Sequence, residues 1–176
     1  VPPVVGVAPT SDFTVANSTQ CLAGNSFNFT NATTPIQAGL PITYLWEFGD
    51  GTTSTDANPT KVYSAAGTYN VKLTATNALG SSSKTTQVTI NSATDAVVSQ
   101  STLSNATGTL TKQFVLTNNS DFTNYSWAVS NGASGLFSNQ STVNFPFTLA
   151  GYYEVTVTGT NDKGCSSTTV IPVTIA

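Results

Sequence analysis

Eight carboxylates, five lysines and two cysteines are all this chain offers for proton transfer, nucleophilic attack or metal binding, and it contains neither histidine nor arginine. Serine or cysteine nucleophiles activated by an imidazole are therefore excluded. General acid–base work by paired carboxylates would have to draw on Asp12, Glu47, Asp50, Asp56, Asp95, Asp121, Glu154 and Asp162, which are scattered along the sequence. Cys21 and Cys165 are too few for a zinc site without histidine. Asp50 and Asp56, with loop carbonyls, are the weak candidates for calcium, a hard cation that takes oxygen ligands alone. Against them, an aspartate between two glycines commonly caps its own turn. The expectation is a chain without catalysis, metal or cofactor.

The elements that carry these residues are strands. Tyr44, Trp46 and Phe48 alternate with Leu45 and Glu47 and run into the turn pair Asp50-Gly51, and Tyr69, Val71, Leu73 and Ala75 alternate in the same way. The pattern then repeats. Tyr125, Trp127 and Val129 stand where Tyr44, Trp46 and Phe48 stood, and Tyr153, Val155 and Val157 repeat Tyr69, Val71 and Leu73. Phe114 and Leu116 repeat Phe27 and Phe29, while Val173 and Ile175 repeat Val88 and Ile90. The chain reads as two all-β domains in tandem: an extended segment over 1–10, a domain over 11–90, a short linker over 91–95 and a second domain over 96–176. Trp46, Trp127, Tyr69 and Tyr153 are the expected core aromatics. Phe122, Tyr152 and Leu136-Phe137 fall outside the core register; they are expected to plug the ends of the sandwich, and are otherwise the candidates for an exposed contact surface.

Charged residues make up 7% of the chain, against about 25% in an ordinary globular chain, and the net charge is -3. This composition argues against nucleic acid and anionic membrane surfaces, which call for clustered cations. No apolar run approaches the roughly 18 residues that cross a bilayer. The chain reads as mature extracellular material. Seven N-x-S/T sequons, beginning at Asn17, Asn28, Asn31, Asn105, Asn118, Asn124 and Asn139, are little more than such an Asn-, Ser- and Thr-rich composition produces by chance.

The order Trp46-x-Phe48-Gly49-Asp50-Gly51, then Asn58-Pro59-Thr60-x-x-Tyr63, then Ala66-Gly67-Thr68-Tyr69-x-Val71-x-Leu73 closely resembles the PKD domain, an immunoglobulin-like β-sandwich. The resemblance spans roughly residues 10–90. The second copy is a diverged relative, with Ser130-Asn131-Gly132 in place of Gly-Asp-Gly and no Asn-Pro-Thr run. The immunoglobulin-like fold implies a buried tryptophan, and Tyr69 suits a tyrosine corner, whose hydroxyl ties back to upstream backbone.

In many bacterial domains of this kind, a cysteine ahead of the second strand accompanies another in the last turn. Here each domain keeps one, Cys21 in the first and Cys165 in the second, with Ser81 opposite Cys165 in the repeat. Alternating strands would bring the first loop of one domain and the last turn of the next to the junction, so a Cys21–Cys165 disulfide is expected. A crosslink between molecules and two free thiols are the rivals.

Two functions fit. The first is a non-catalytic structural or adhesive protein, a rigid block of a surface adhesin stalk or of a filament. It would act through contacts with other protein subunits; residues 1–10 read first as a linker or extended edge segment, with Val4, Val5 and Val7 the residues that would join a neighbouring sheet in the sharper reading. The alternative is an accessory binding or spacer module of a secreted protease or polysaccharide-degrading enzyme, with surface polysaccharide a further partner.

Overall fold

The computed structural model describes residues 7–34, 40–104, 109–130 and 137–176. The chain divides into two units, Val1–Ser92 and Ala93–Ala176, each an antiparallel-dominated sandwich of two sheets around its own core.

In the first unit the strands are β1 (Phe13–Val15), β2 (Thr19–Cys21), β3 (Phe27–Asn31), β4 (Thr43–Glu47), β5 (Thr53–Ser54), β6 (Thr60–Lys61), β7 (Gly67–Asn77) and β8 (Gly80–Asn91). One sheet has the order β1-β3-β6 and the other β2-β8-β7-β4-β5. The alternation read in the sequence decides which residues face inward: Phe13, Phe27, Phe29, Trp46, Phe48, Val71, Leu73, Val88 and Ile90 form the core, while Leu45 stays 43% exposed. The Trp46 ring lies 5.0 Å from that of Phe13 and 5.6 Å from that of Phe29, so aromatic edges and faces fill the space between the sheets.

The second unit contains β9 (Val98–Ser104), β10 (Leu110–Leu116), a 3₁₀ turn at Asn119–Asp121, β11 (Asn124–Val129), β12 (Phe137–Ser138), β13 (Thr142–Phe147), β14 (Gly151–Thr160) and β15 (Ser166–Ile175). Its sheets are β13-β10-β9 and β12-β11-β14-β15. Phe114, Leu116, Trp127, Phe145, Val155 and Val157 are buried between them.

The two units part where the chain leaves the first strand. After Val15 the first unit turns at Asn17, whose φ of 54° lies in the left-handed region that asparagine tolerates, and the chain crosses to pair β2 in parallel with the end of β8. No such crossing occurs among the described residues of the second unit. β9 continues straight along β10 from Val98↔Leu116 to Ser104↔Leu110. In the first unit the ladder stops at Phe27, and Asn25 takes over: buried, it accepts the Tyr63 amide (2.8 Å) and donates to the carbonyls of Tyr63 (2.9 Å) and Leu22 (2.7 Å). A side-chain amide thus stands in for a missing strand residue.

Several sequence expectations need correction. Tyr69 is half-buried rather than fully in the core, because Tyr63 occupies the buried position and stacks on it with centroids 4.0 Å apart. Val62 is 60% exposed and follows the short strand β6. Phe122, outside the core register, is nonetheless buried: its ring lies against Gly159, where a Cβ would come within 2.4 Å. The extra residue in the β14–β15 hairpin shifts the repeat, since Thr76 pairs Ser81 whereas Thr160 pairs Ser166. Gly80, not Ser81, is therefore the counterpart of Cys165.

Candidate functional site

A cluster of polar and charged groups in the first unit is built by the loops that follow β4 and β5 together with β6. Gly49 has a φ of 82° and its Cα packs on the backbone of Asn70, where a Cβ would lie 2.9 Å from the carbonyl oxygen; glycine is required there. The turn it makes presents Asp50, whose Oδ1 accepts from the amide (3.0 Å) and hydroxyl (2.6 Å) of Thr52. Its Oδ2 lies 2.6 Å from Lys61 Nζ. Lys61 also donates to Thr52 Oγ1 at 2.7 Å, and its ammonium sits 5.4 Å from the Phe48 ring centroid and 5.2 Å from that of Tyr63.

Further bonds tie the same loops together. Tyr63 Oη donates to the Phe48 carbonyl (2.8 Å), Trp46 Nε1 to the Asp56 carbonyl (2.9 Å), and the Asn31 amide to Asn58 Oδ1 (2.9 Å). Burial pushes the Tyr63 hydroxyl well above its ordinary range, and the Asp50 charge adds to the effect. Burial also works against an ionised Asp50. The hydrogen bonds from Lys61 and Thr52 outweigh it, and they hold the carboxyl at about 2 instead of 3.8.

Asp50 is paired with a lysine whose side chain is 14% accessible, and Asp56 Oδ2 accepts from Ser54 Oγ at 3.0 Å. No group of three or more potential metal-ligating side chains occurs among the described residues. Sequence reasoning singled out Asp50 but missed Lys61; a lysine three residues after Asn58 in an otherwise lysine-poor chain was the available signal.

The ion pair gives a pH test. A carboxyl with a depressed folded-state pKa stabilises the fold above its unfolded value and loses that contribution as pH falls through the folded one. Asp50→Asn is expected to cost on the order of 1–2 kcal/mol at neutral pH, after discounting for solvent screening. The difference from wild type should shrink as pH falls from about 4 towards 2. Denaturant melts across that range check this; a pH-independent difference would contradict it.

Tyr69 Oη donates to the Ala65 carbonyl (2.9 Å) and Tyr153 Oη to the Leu149 carbonyl (3.0 Å), the same closure in each unit. Trp127 is buried and its Nε1 donates to the Gln140 carbonyl (2.9 Å), as Trp46 does to Asp56. Both Cys21 and Cys165 are disulfide-bonded. Cys21 ends β2 opposite Asn91, the last residue of β8. Cys165 is buried, its amide donating to Asn161 Oδ1 at 3.0 Å, in a turn whose Asn161 Nδ2 reaches Thr94 Oγ1 at 3.4 Å. Tyr152 is 58% exposed and Val7 49%, Phe137 packs against the core, and Val4, Val5 and Leu136 lie outside the described residues.

Comparison with known families matches residues 6–92 and residues 95–173 each to the PKD domain. The chain belongs to the PKD-domain family, twice over. Over 70 residues it is 47% identical to collagenase ColA of Bacillus cereus, covering 39% of this chain and 7% of that protein. It is 36% identical over 70 residues to a microbial collagenase of Vibrio alginolyticus, covering 40% of this chain and 9% of that protein. The chain thus spans less than a tenth of the length of these relatives. The PKD1 domain from the Vibrio cholerae metalloprotease PrtV, a solved structure, is 32% identical, covering 48% of this chain and 99% of that one, with a TM-score of 0.41.

Within the first PKD domain, the motif residues Trp46, Phe48, Asp50, Asn58 and Tyr63 all serve one loop-fastening network. The second PKD domain dispenses with its ionic part. Lys61 pairs with Phe27 across the sheet, and the residue that pairs with the equivalent Phe114 is the buried, apolar Val143.

Proposed function

We propose that this chain is a non-catalytic accessory module of a secreted protease, one that holds a separate catalytic domain on an insoluble protein substrate. The observation that carries this reading is the 47% identity to a stretch of a collagenase, of which the matched region is a small fraction. Oxidised cysteines and the low charge support an extracellular setting. The satisfied state of Asp50 and Lys61 supports a scaffold rather than a reaction site. Co-sedimentation of the purified chain with insoluble collagen tests it: partition with the pellet is expected, and retention in the supernatant to the extent of an unrelated sandwich protein would sink it.

A bond from Cys21 to Cys165 within one chain belongs to the same proposal, because a module that transmits position gains from a fixed joint. Each cysteine lies at the end of its own domain where the chain passes from one to the other: Cys21 beside Asn91, and Cys165 in the turn that reaches Thr94. The second reading, a subunit of a stalk or filament, is favoured by one feature, the open edge of β15.

A further inference from the structure

The last strand of each domain presents the same edge, and the two edges are treated differently. In β15 the hairpin bond from the Asn161 amide to the Cys165 carbonyl (3.0 Å) sets the parity of the ladder. Ile171, Val173 and Ile175 direct their amides and carbonyls to β14, and Thr168, Val170, Pro172 and Thr174 direct theirs outward. In β8 the outward positions include Thr89, whose amide donates to the Ser18 carbonyl (2.8 Å), and Asn91, whose carbonyl accepts from the Leu22 amide (2.8 Å). The strand β2 closes that edge. Thr174 is the counterpart of Thr89, since Val88 and Val173 pair with Tyr69 and Tyr153 respectively.

No strand pairs with the outer edge of β15 among the described residues. The segment that would correspond to β2 remains in the opposite sheet, because β9 is paired with β10 along its whole length and only five residues join their paired ends at Ser104 and Leu110. Two consequences are visible. Gln100 and Thr102, on the core-facing side of β9 with Phe114 and Lys112, stay exposed, and Val170 is 50% exposed. Neither β9 nor β15 carries a charge, the ordinary guard of a free edge. Pro172 removes one outward donor and leaves Thr174 beyond it, which is the stretch that β2 occupies in the first domain.

We infer that the open position beside Thr174 receives an extended strand from a second copy of this chain, residues 1–6, lying parallel to β15 as β2 lies to β8. The position is uncharged and bordered by valine and isoleucine, and residues 1–6, Val-Pro-Pro-Val-Val-Gly, are uncharged and apolar. The segment is anchored just after them: the Val7 carbonyl accepts from Asn77 Nδ2 (3.5 Å) and the Pro9 carbonyl from Ser82 Oγ (2.6 Å). Six extended residues reach roughly 20 Å, enough to lie along a pairing as short as that of β2. This association does not depend on polymer binding, and its failure leaves the accessory reading standing.

Sedimentation velocity over concentrations up to millimolar tests it. The wild type is expected to form species larger than the 18.2 kDa monomer as concentration rises. Thr174→Pro, which removes an outward amide and no bond to β14, is expected to abolish them. So is removal of residues 1–6, a change that leaves the second domain untouched and decides the matter if the proline variant melts early. A wild type that stays monomeric throughout, or a truncated chain that assembles as readily, would overturn the inference.

Discussion

Trp46→Ala is expected to cost the first domain about 3–5 kcal/mol, the usual range for emptying an aromatic site in a core. The indole is fully buried, touches Phe13 and Phe29 and donates to the Asp56 carbonyl. Its loss removes apolar contact, opens a void and releases the loop that carries Asp56. Such a penalty is a large part of a small domain's stability. Because each domain has its own core, the damage should stay local. Trp127 becomes the sole tryptophan, and its fluorescence in a denaturant titration should report an unchanged second domain while circular dichroism shows an early first transition. A cost below about 1 kcal/mol would contradict the role assigned to the indole.

The second large effect belongs to the cysteines. A Cys21–Cys165 bond closes a loop of roughly 140 residues, and constraint of the unfolded chain then contributes on the order of 4–5 kcal/mol, less any strain. Cys21→Ser with Cys165→Ser should therefore lower the denaturation midpoint while leaving the strand content of each domain intact. Digestion of unreduced, monomer-sized protein should release one crosslinked peptide holding both cysteines. Recovery of that crosslink only from dimer-sized material would place the bond between molecules instead.

Alternation made most of the fold legible. The inward registers of β4, β7, β8 and their repeats follow from period-two apolar patterning, since a slip of one residue would turn Trp46 or Val71 to solvent. What escaped the sequence depends on partners distant in the chain. The transfer of β2 to the opposite sheet is carried by a hydrogen-bonding choice at Thr89 and Asn91 and by the left-handed Asn17, none of which alters apolar spacing. Lys61 escaped notice because the Asp50 carboxylate and the Phe48 ring that enclose it come from another loop. Phe122 falls outside the alternation because the space it fills is provided by Gly159, on another strand.

At the candidate site the motif residues were legible as a family signature, but their purpose was not. Asp50, read as a turn cap with calcium as its rival, does cap Thr52 and adds a lysine to the turn. The network gives each motif residue a purpose: each fastens one loop to the next.

Binding to insoluble collagen tests the central claim most directly. The purified two-domain chain, incubated with collagen fibrils and pelleted, should partition with the fibrils in a saturable manner, and the Trp46→Ala variant should lose that partition wherever its first domain is unfolded. A chain that stays in the supernatant at every fibril concentration, folded by circular dichroism and oxidised at both cysteines, would contradict the accessory reading and leave the structural subunit in its place.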